Sequence, residues 1–115
     1  MNLDHKTYLS LLKHVGVLVG NSSSGIIEST SLEVPAANVG IRQMGREHAA
    51  NVIDVPAECR AIRDKIEQAL SADFRHSILG LESPYGDGGA ANIITRMLVK
   101  TPLGEKLLFK NAHSV

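Results

Sequence analysis

The chain has 115 residues, with twelve lysines and arginines balancing twelve aspartates and glutamates. That length fits one modest domain with a small core, and the balanced charge argues against a nucleic-acid partner. A single cysteine, Cys59, excludes an intramolecular disulfide and suits a reducing compartment, so cytoplasm is expected, and no apolar run nears the roughly 20 residues needed to cross a membrane.

In chain order, the apolar spacing from Leu3 to His14 predicts a short helix ending before Gly16. "VGVLV", 15–19, is compact and valine-rich, as expected of a strand buried on both faces. A polar junction, "GNSSSG" at 20–25, leads into "GIIESTSLE", which reads as a helix stopped by Val34-Pro35 because a residue preceding proline avoids helical backbone. "AANVG", 36–40, and "NVIDV", 51–55, are two further strands. The strongest helix is 56–71, with Pro56 in its first turn, an apolar line of Ile62, Ile66 and Leu70, and Arg60/Asp64 and Arg63/Glu67 as pairs four residues apart. A short helix over 73–79 follows. The glycine-rich "SPYGDGG" at 83–89 separates a main body, 1–82, from a helical tail, 83–115. In the tail, 90–100 predicts a helix with Ile93, Ile94, Met97 and Leu98 facing inward, and 106–109 a last helical turn.

Alternating helices and strands are the grammar of an open parallel α/β sheet. Three strands are few for a sheet that needs cover on both faces, so the sequence implies completion by self-association into a homo-oligomer or by a longer chain.

In such sheets ligands bind beyond the carboxyl ends of the strands, where the junction lies. Unpaired amides at a helix start, about half a positive charge there, and the hydroxyls of Ser22, Ser23 and Ser24 favour an anion, while Gly20 and Gly25 let backbone approach it. Asn, Ser and Gly also make ordinary turns and caps, so composition alone leaves a plain loop equally open. Neither the Gly-Lys-Ser/Thr ending of a P-loop nor a G-x-G-x-x-G pattern is present. Glu28 offers a bidentate acceptor for adjacent ribose hydroxyls, or simply an acid that complements a helix dipole. Arg42 and Arg46 follow the next strand and bring positive charge to the same sheet edge, unless they are solvated surface arginines. Of the five histidines only His48 lies near that loop, and no His or Cys pair has metal-ligand spacing, so neither metal nor cofactor is expected. "DGG" at 87–89 reads as a turn rather than a metal or phosphate site.

The order and spacing of "VGNSSSGIIE", "VPAANVGIRQMGRE", "NVIDV" and "SPYGDGGAANII" resemble the C-terminal part of the hydrolysing UDP-N-acetylglucosamine 2-epimerases of sialic-acid pathways. The resemblance runs from about Tyr8 to the end. Asn21-Ser22-Ser23-Ser24 and Arg42-Gln43-Met44-Gly45-Arg46 favour that branch over the non-hydrolysing one, which has an Asp-Ser-Gly-Gly junction. The resemblance implies a partial Rossmann-like sheet from the C-terminal domain of a GT-B fold, with a UDP-sugar as ligand. It assigns the diphosphate to Ser22, Ser23 and the following helix start through Ser24 and Gly25, the ribose to Glu28, and a nucleotide contact to Arg42, with Asn21 and Arg46 as further candidates. The pattern departs at Ser83, where Asn is common, at Ile41, often Asp or Thr, and at Glu33-Val34-Pro35, where Gly-x-Pro is common.

The implied reaction removes the C2 proton, expels UDP and adds water to give free N-acetylmannosamine. The resemblance places its acids and bases mainly in an N-terminal domain and the start of the C-terminal one, both outside this sequence, so the 115 residues alone are expected to be inactive. The rivals are a non-catalytic nucleotide-sugar-binding remnant and a fragment of a GT-B glycosyltransferase.

Overall fold

The computed structural model describes residues 3–102 and 104. The chain divides into two compact units, 1–85 and 86–115.

The first unit opens with α1 (His5–Leu12), capped by Asp4, whose carboxylate accepts from the Thr7 amide at 3.1 Å and the Thr7 hydroxyl at 2.6 Å. The Thr7 hydroxyl first, and its amide second, hold the Asp4 carboxyl below the ordinary carboxylate range. A lowered folded-state value means that the cap's contribution is present above the unfolded carboxyl's range and is lost as the pH falls through the lowered folded value. An NMR titration of the Asp4 side-chain carbon should therefore give a midpoint below that of an unstructured aspartate, and Thr7→Ala should move it back up. An unmoved midpoint in Thr7→Ala would refute this account of the cap.

Three parallel strands follow, β1 (Leu18–Gly20), β2 (Ala36–Val39) and β3 (Val52–Val55), in the order β1-β2-β3. Ala36 sits between Leu18 and Val52, and Asn38 between Gly20 and Asp54. Successive strand residues face opposite sides, so burial of Ala36, Ala37 and Asn38 in a row shows that the central strand is covered on both faces. The three-strand parallel sheet with its helices is a partial Rossmann-like α/β domain.

β1 corrects one expectation. It begins at Leu18 rather than Val15, and Val19 is 42% exposed rather than buried, because among the described residues this edge strand pairs with β2 alone.

The link from β1 to β2 also differs from one continuous helix. A 3-10 turn, Ser23–Gly25, capped by Ser22, precedes a single helical turn, α2 (Glu28–Ser31). The tight turn lets Ile26, fully buried, drop onto Ala36 and Val52 with Leu18 and Ile27 around it. This link also buries hydroxyls. Ser29 and Thr30 bond back to Gly25 O and Ile26 O, and both meet the fully buried Asn51 just before β3. After α2 the chain turns at Glu33, whose φ of 53° is the left-handed conformation that glycine adopts most readily. This explains why Gly-x-Pro would suit the position. Here the Glu33 carboxylate accepts from the Gly80 amide at 2.8 Å instead.

α3 (Cys59–Leu70) packs against β2 and β3. It starts three residues beyond Pro56, which stays outside it, and Ala69 is its buried residue while Leu70 is half exposed. Arg63 reaches Glu67 at 4.0 Å and Asp64 at 3.7 Å, exposed pairs that contribute little. Among the described residues Arg60 makes no ion pair with Asp64. α4 (Ala72–Ser77) closes this body, with Ile78 buried behind it.

The second unit holds α5 (Ala90–Lys100), formed over the predicted residues. Ile93, Ile94, Met97 and Leu98 are all more than half exposed rather than inward-facing. Spacing of apolar residues makes the helix amphipathic, but burial needs a layer to receive the stripe. The predicted turn at 106–109 lies outside the described residues.

Candidate functional site

The serine junction and the loop after β2 meet beyond the carboxyl end of the sheet. At Ser22–Gly25 the backbone turns tightly. The Ser24 amide bonds to the Ser22 hydroxyl at 3.3 Å, and the amides of Gly25 and Ile26 bond to Ser22 O and Ser23 O. Among the described residues no acceptor faces the amides of Ser22 or Ser23. Two donors therefore remain open where the sequence expects an anion. Ser24 is different, because its hydroxyl is engaged with the Tyr8 hydroxyl from α1. That contact braces the turn against α1.

Gly25 lies against the sheet: a Cβ there would stand 3.8 Å from Leu18 and 3.9 Å from Ala36. This is ordinary contact, so the glycine brings the turn close to the strands without being required by backbone strain. Glu28, the first residue of α2, is half-buried, and its Oε2 is a buried atom without a hydrogen-bond partner among the described residues. Such atoms are rare in folded proteins and call for a reason.

The loop from Gly40 to Arg46 begins with the Gly40 amide on Val55 O at 2.9 Å. Arg42 and Arg46 are exposed, and among the described residues neither forms an ion pair. Between them Gln43 is 6% exposed and donates from Nε2 to the carbonyl of Asn21 at 2.8 Å. That bond fastens the arginine loop to the serine junction.

A cavity of about 300 Å³ opens beside this loop, lined by Asn38, Met44, Arg46, His48, Asp54 and Pro56 among others. Across the β2–β3 register Asn38 donates to Asp54 at 2.7 Å, and Asp54 also meets His48 Nε2 at 3.2 Å. The Asn38 Oδ1 is buried without a partner among the described residues. Tyr85 donates to Glu47 O at 2.8 Å and ties the "SPYG" loop to this region, while the Ser83 hydroxyl accepts from the Tyr85 amide at 3.2 Å. Ser83 thus supplies the oxygen that caps this turn. Asp87, in the second unit, accepts from the Gly89 amide at 3.1 Å in a local turn.

The structure thus links the Arg42 loop to the Ser22–Ser23 turn, and Glu28 follows that turn in the chain. It adds Tyr8, Gln43, Asn38 and Asp54, which sequence reasoning missed. Asn38 and Asp54 carried a signal: each is a polar residue inside an otherwise apolar strand. Gln43 and Tyr8 carried none that spacing reveals.

Comparison with known proteins bears on this arrangement. A family model described as UDP-N-acetylglucosamine 2-epimerase matches residues 1–99. Polysialic acid biosynthesis protein P7 of Escherichia coli is 40% identical over 85 residues, 74% of this chain and 22% of that protein. The UDP-N,N'-diacetylbacillosamine 2-epimerase (hydrolyzing) of Legionella pneumophila is 35% identical over 113 residues, 97% of this chain and 29% of that protein. The UDP-N-acetylglucosamine 2-epimerase of Neisseria meningitidis serogroup B is 44% identical over 64 residues, 56% of this chain and 17% of that protein. The chain therefore spans less than a third of the length of these relatives. No helix among the described residues is long and apolar enough to cross a membrane. The match over most of the chain settles its descent: it belongs to the UDP-N-acetylglucosamine 2-epimerase family.

Proposed function

We propose that this chain is the UDP-holding portion of a hydrolysing 2-epimerase, which converts a UDP-2-acetamido sugar and water into UDP and the free 2-epimer. The observation that carries the reading is the buried Oε2 of Glu28, without a partner among the described residues, three residues beyond a turn with two open amides. An acceptor of that kind fits a vicinal diol, and the Glu28 carboxylate takes both ribose hydroxyls. The amides and hydroxyls of Ser22 and Ser23 hold the diphosphate, and Gly25, whose amide is taken by Ser22 O, lets their turn lie against the sheet. Arg42 neutralises it, and Asn21 and Arg46 border it. Ser24 supports the turn through its contact with Tyr8.

Breaking the anomeric C–O bond puts new negative charge on a phosphate oxygen. Donors already fixed around that oxygen stabilise it without reorganising, which is where most electrostatic catalysis lies. The groups that remove and return the C2 proton lie in an N-terminal domain beyond these residues, and the 115 residues alone do not turn over. Residues 3–82 belong to the UDP-holding part of a GT-B C-terminal domain, and the glycine-rich loop from 83 and α5 follow it. An exposed, free Cys59 and a nucleotide-sugar substrate suit the cytoplasm.

Two features support the hydrolysing branch: the "NSSSG" and "RQMGR" patterns, and the hydrolysing activity in the name of the Legionella relative that aligns over nearly all of this chain. The test is to incubate the intact protein that carries this sequence with UDP-N-acetylglucosamine and with UDP-N,N'-diacetylbacillosamine, following the anomeric signals by NMR. Free 2-epimeric sugar appearing with equimolar UDP is expected from one of them. A UDP-linked epimer as the lasting product would refute the hydrolysing assignment, and tight UDP binding without turnover would favour a non-catalytic remnant.

A further inference from the structure

We infer that Gln43 is a positioning residue that holds Arg42 against a bound diphosphate by locking the loop after β2 to the turn after β1. The inference rests on the reading of Ser22, Ser23 and Arg42 as the diphosphate site.

The loop is exposed on both sides of this residue. Ile41 is 78% exposed and Met44 76%, and Arg42, Gly45 and Arg46 are exposed as well, yet Gln43 is buried. A polar side chain turned inward from a solvated loop loses water and must recover a partner. It finds the Asn21 carbonyl, 22 residues away in sequence and one residue before Ser22. Among the described residues this is the one side-chain hydrogen bond between the loop and the junction.

The loop's other bonds are internal or run to β3: Met44 to Ile41 O, Arg46 to Gln43 O, and Gly40 to Val55 O. They shape the loop without setting its distance from the serines. Gln43 sets that distance, and the Cα of Arg42 is only about 3.8 Å from its own.

Arg42 has a long side chain and no ion-pair partner among the described residues, so a phosphate would have to order it on binding. Fixing the root of the chain removes part of that ordering. The residue type fits the task. The acceptor is a neutral carbonyl, so an amide donor satisfies it without burying charge, whereas a glutamate at the same place offers only acceptors.

Binding of UDP and of uridine to the intact protein tests this with Gln43→Met, which keeps the volume and removes the donor, alone and combined with Arg42→Ala. Gln43→Met should weaken UDP about 5- to 10-fold, the loss of one well-placed hydrogen bond, and leave uridine unchanged. In the Arg42→Ala background the same change should alter UDP affinity less than about 2-fold, since the group it positions is gone. Gln43→Glu, close to glutamine in shape, replaces the methionine variant should that fail to fold, and should weaken UDP at least as much.

Equal losses for UDP and uridine, or a loss undiminished in the Arg42→Ala background, would make the bond a simple loop tether and overturn the inference. Full UDP affinity in the glutamine variants with a weakened Arg42→Ala would sink the Gln43 role alone. Full UDP affinity in Arg42→Ala would overturn the diphosphate site itself and the inference with it.

Discussion

Glu28→Gln should weaken UDP binding by about 10- to 100-fold while leaving the fold as stable as before or more so. A hydrogen bond to a charged acceptor is worth about 1.5–3 kcal/mol, which sets the lower affinity. The stability side follows from the buried Oε2, which has no partner among the described residues to offset its loss of hydration. An amide in the same place carries no charge to desolvate. A residue that lowers stability and raises affinity is the expected signature of a binding group. Calorimetric titration with UDP and thermal unfolding without it separate the two effects. If Glu28→Gln unfolded at a lower temperature and bound UDP unchanged, the carboxylate would be a structural acid of the first helical turn and the ribose assignment would fall.

The largest effect on stability is expected at Asn51. Its amide donates to the Ser29 hydroxyl at 3.0 Å and to Val34 O at 2.9 Å, and its Oδ1 faces the Thr30 hydroxyl at 2.8 Å, with the side chain wholly buried. The Thr30 proton is shared between Asn51 and Ile26 O, so the group joins the short α2 to the chain entering β3. Asn51→Leu keeps the bulk but leaves Val34 O and the Ser29 oxygen without this donor in a low-dielectric interior. The expected loss is about 2–4 kcal/mol, equivalent to a drop in Tm of about 10 °C or more in a domain this size. Urea unfolding with an unchanged slope and a lower midpoint would agree; a shift under about 0.5 kcal/mol would show that the network is dispensable. Because α2 begins at Glu28, the same variant should also bind UDP less well.

How far the sequence could be read depended on which forces are local. Three strands and α5 sat near where apolar spacing, valine content and the proline at 35 put them, since those signals act over a few residues. The junction after β1 was recognisable as a special turn, but its 3-10 form was not. That shape is set by Ile26 reaching Ala36 and Val52, contacts made only after the sheet exists. Pro56 looked like a helix start and was passed over, because Glu58 is where the extended chain turns into α3. The exposure of Val19 and of the α5 stripe was hidden for another reason: a pattern shows which face is apolar, not whether anything covers it. The types proposed for the candidate site, Ser22, Glu28 and Arg42, could be named from the sequence, whereas the bonded roles of Gln43 and Asn51 could not. Their importance lies in partners 22 and 17 to 22 residues away, and no local rule registers those.

Glu33 has a consequence for how this sequence can drift. A side chain in the left-handed conformation costs on the order of 1–2 kcal/mol, and its hydrogen bond from the Gly80 amide returns on the order of 1 kcal/mol. Glycine at the same place would erase both contributions together. The two residues are therefore nearly interchangeable, and mutation can pass between them in either direction without crossing a valley of poorly folded intermediates. A glutamate in place of glycine at this corner is then compatible with the same backbone turn.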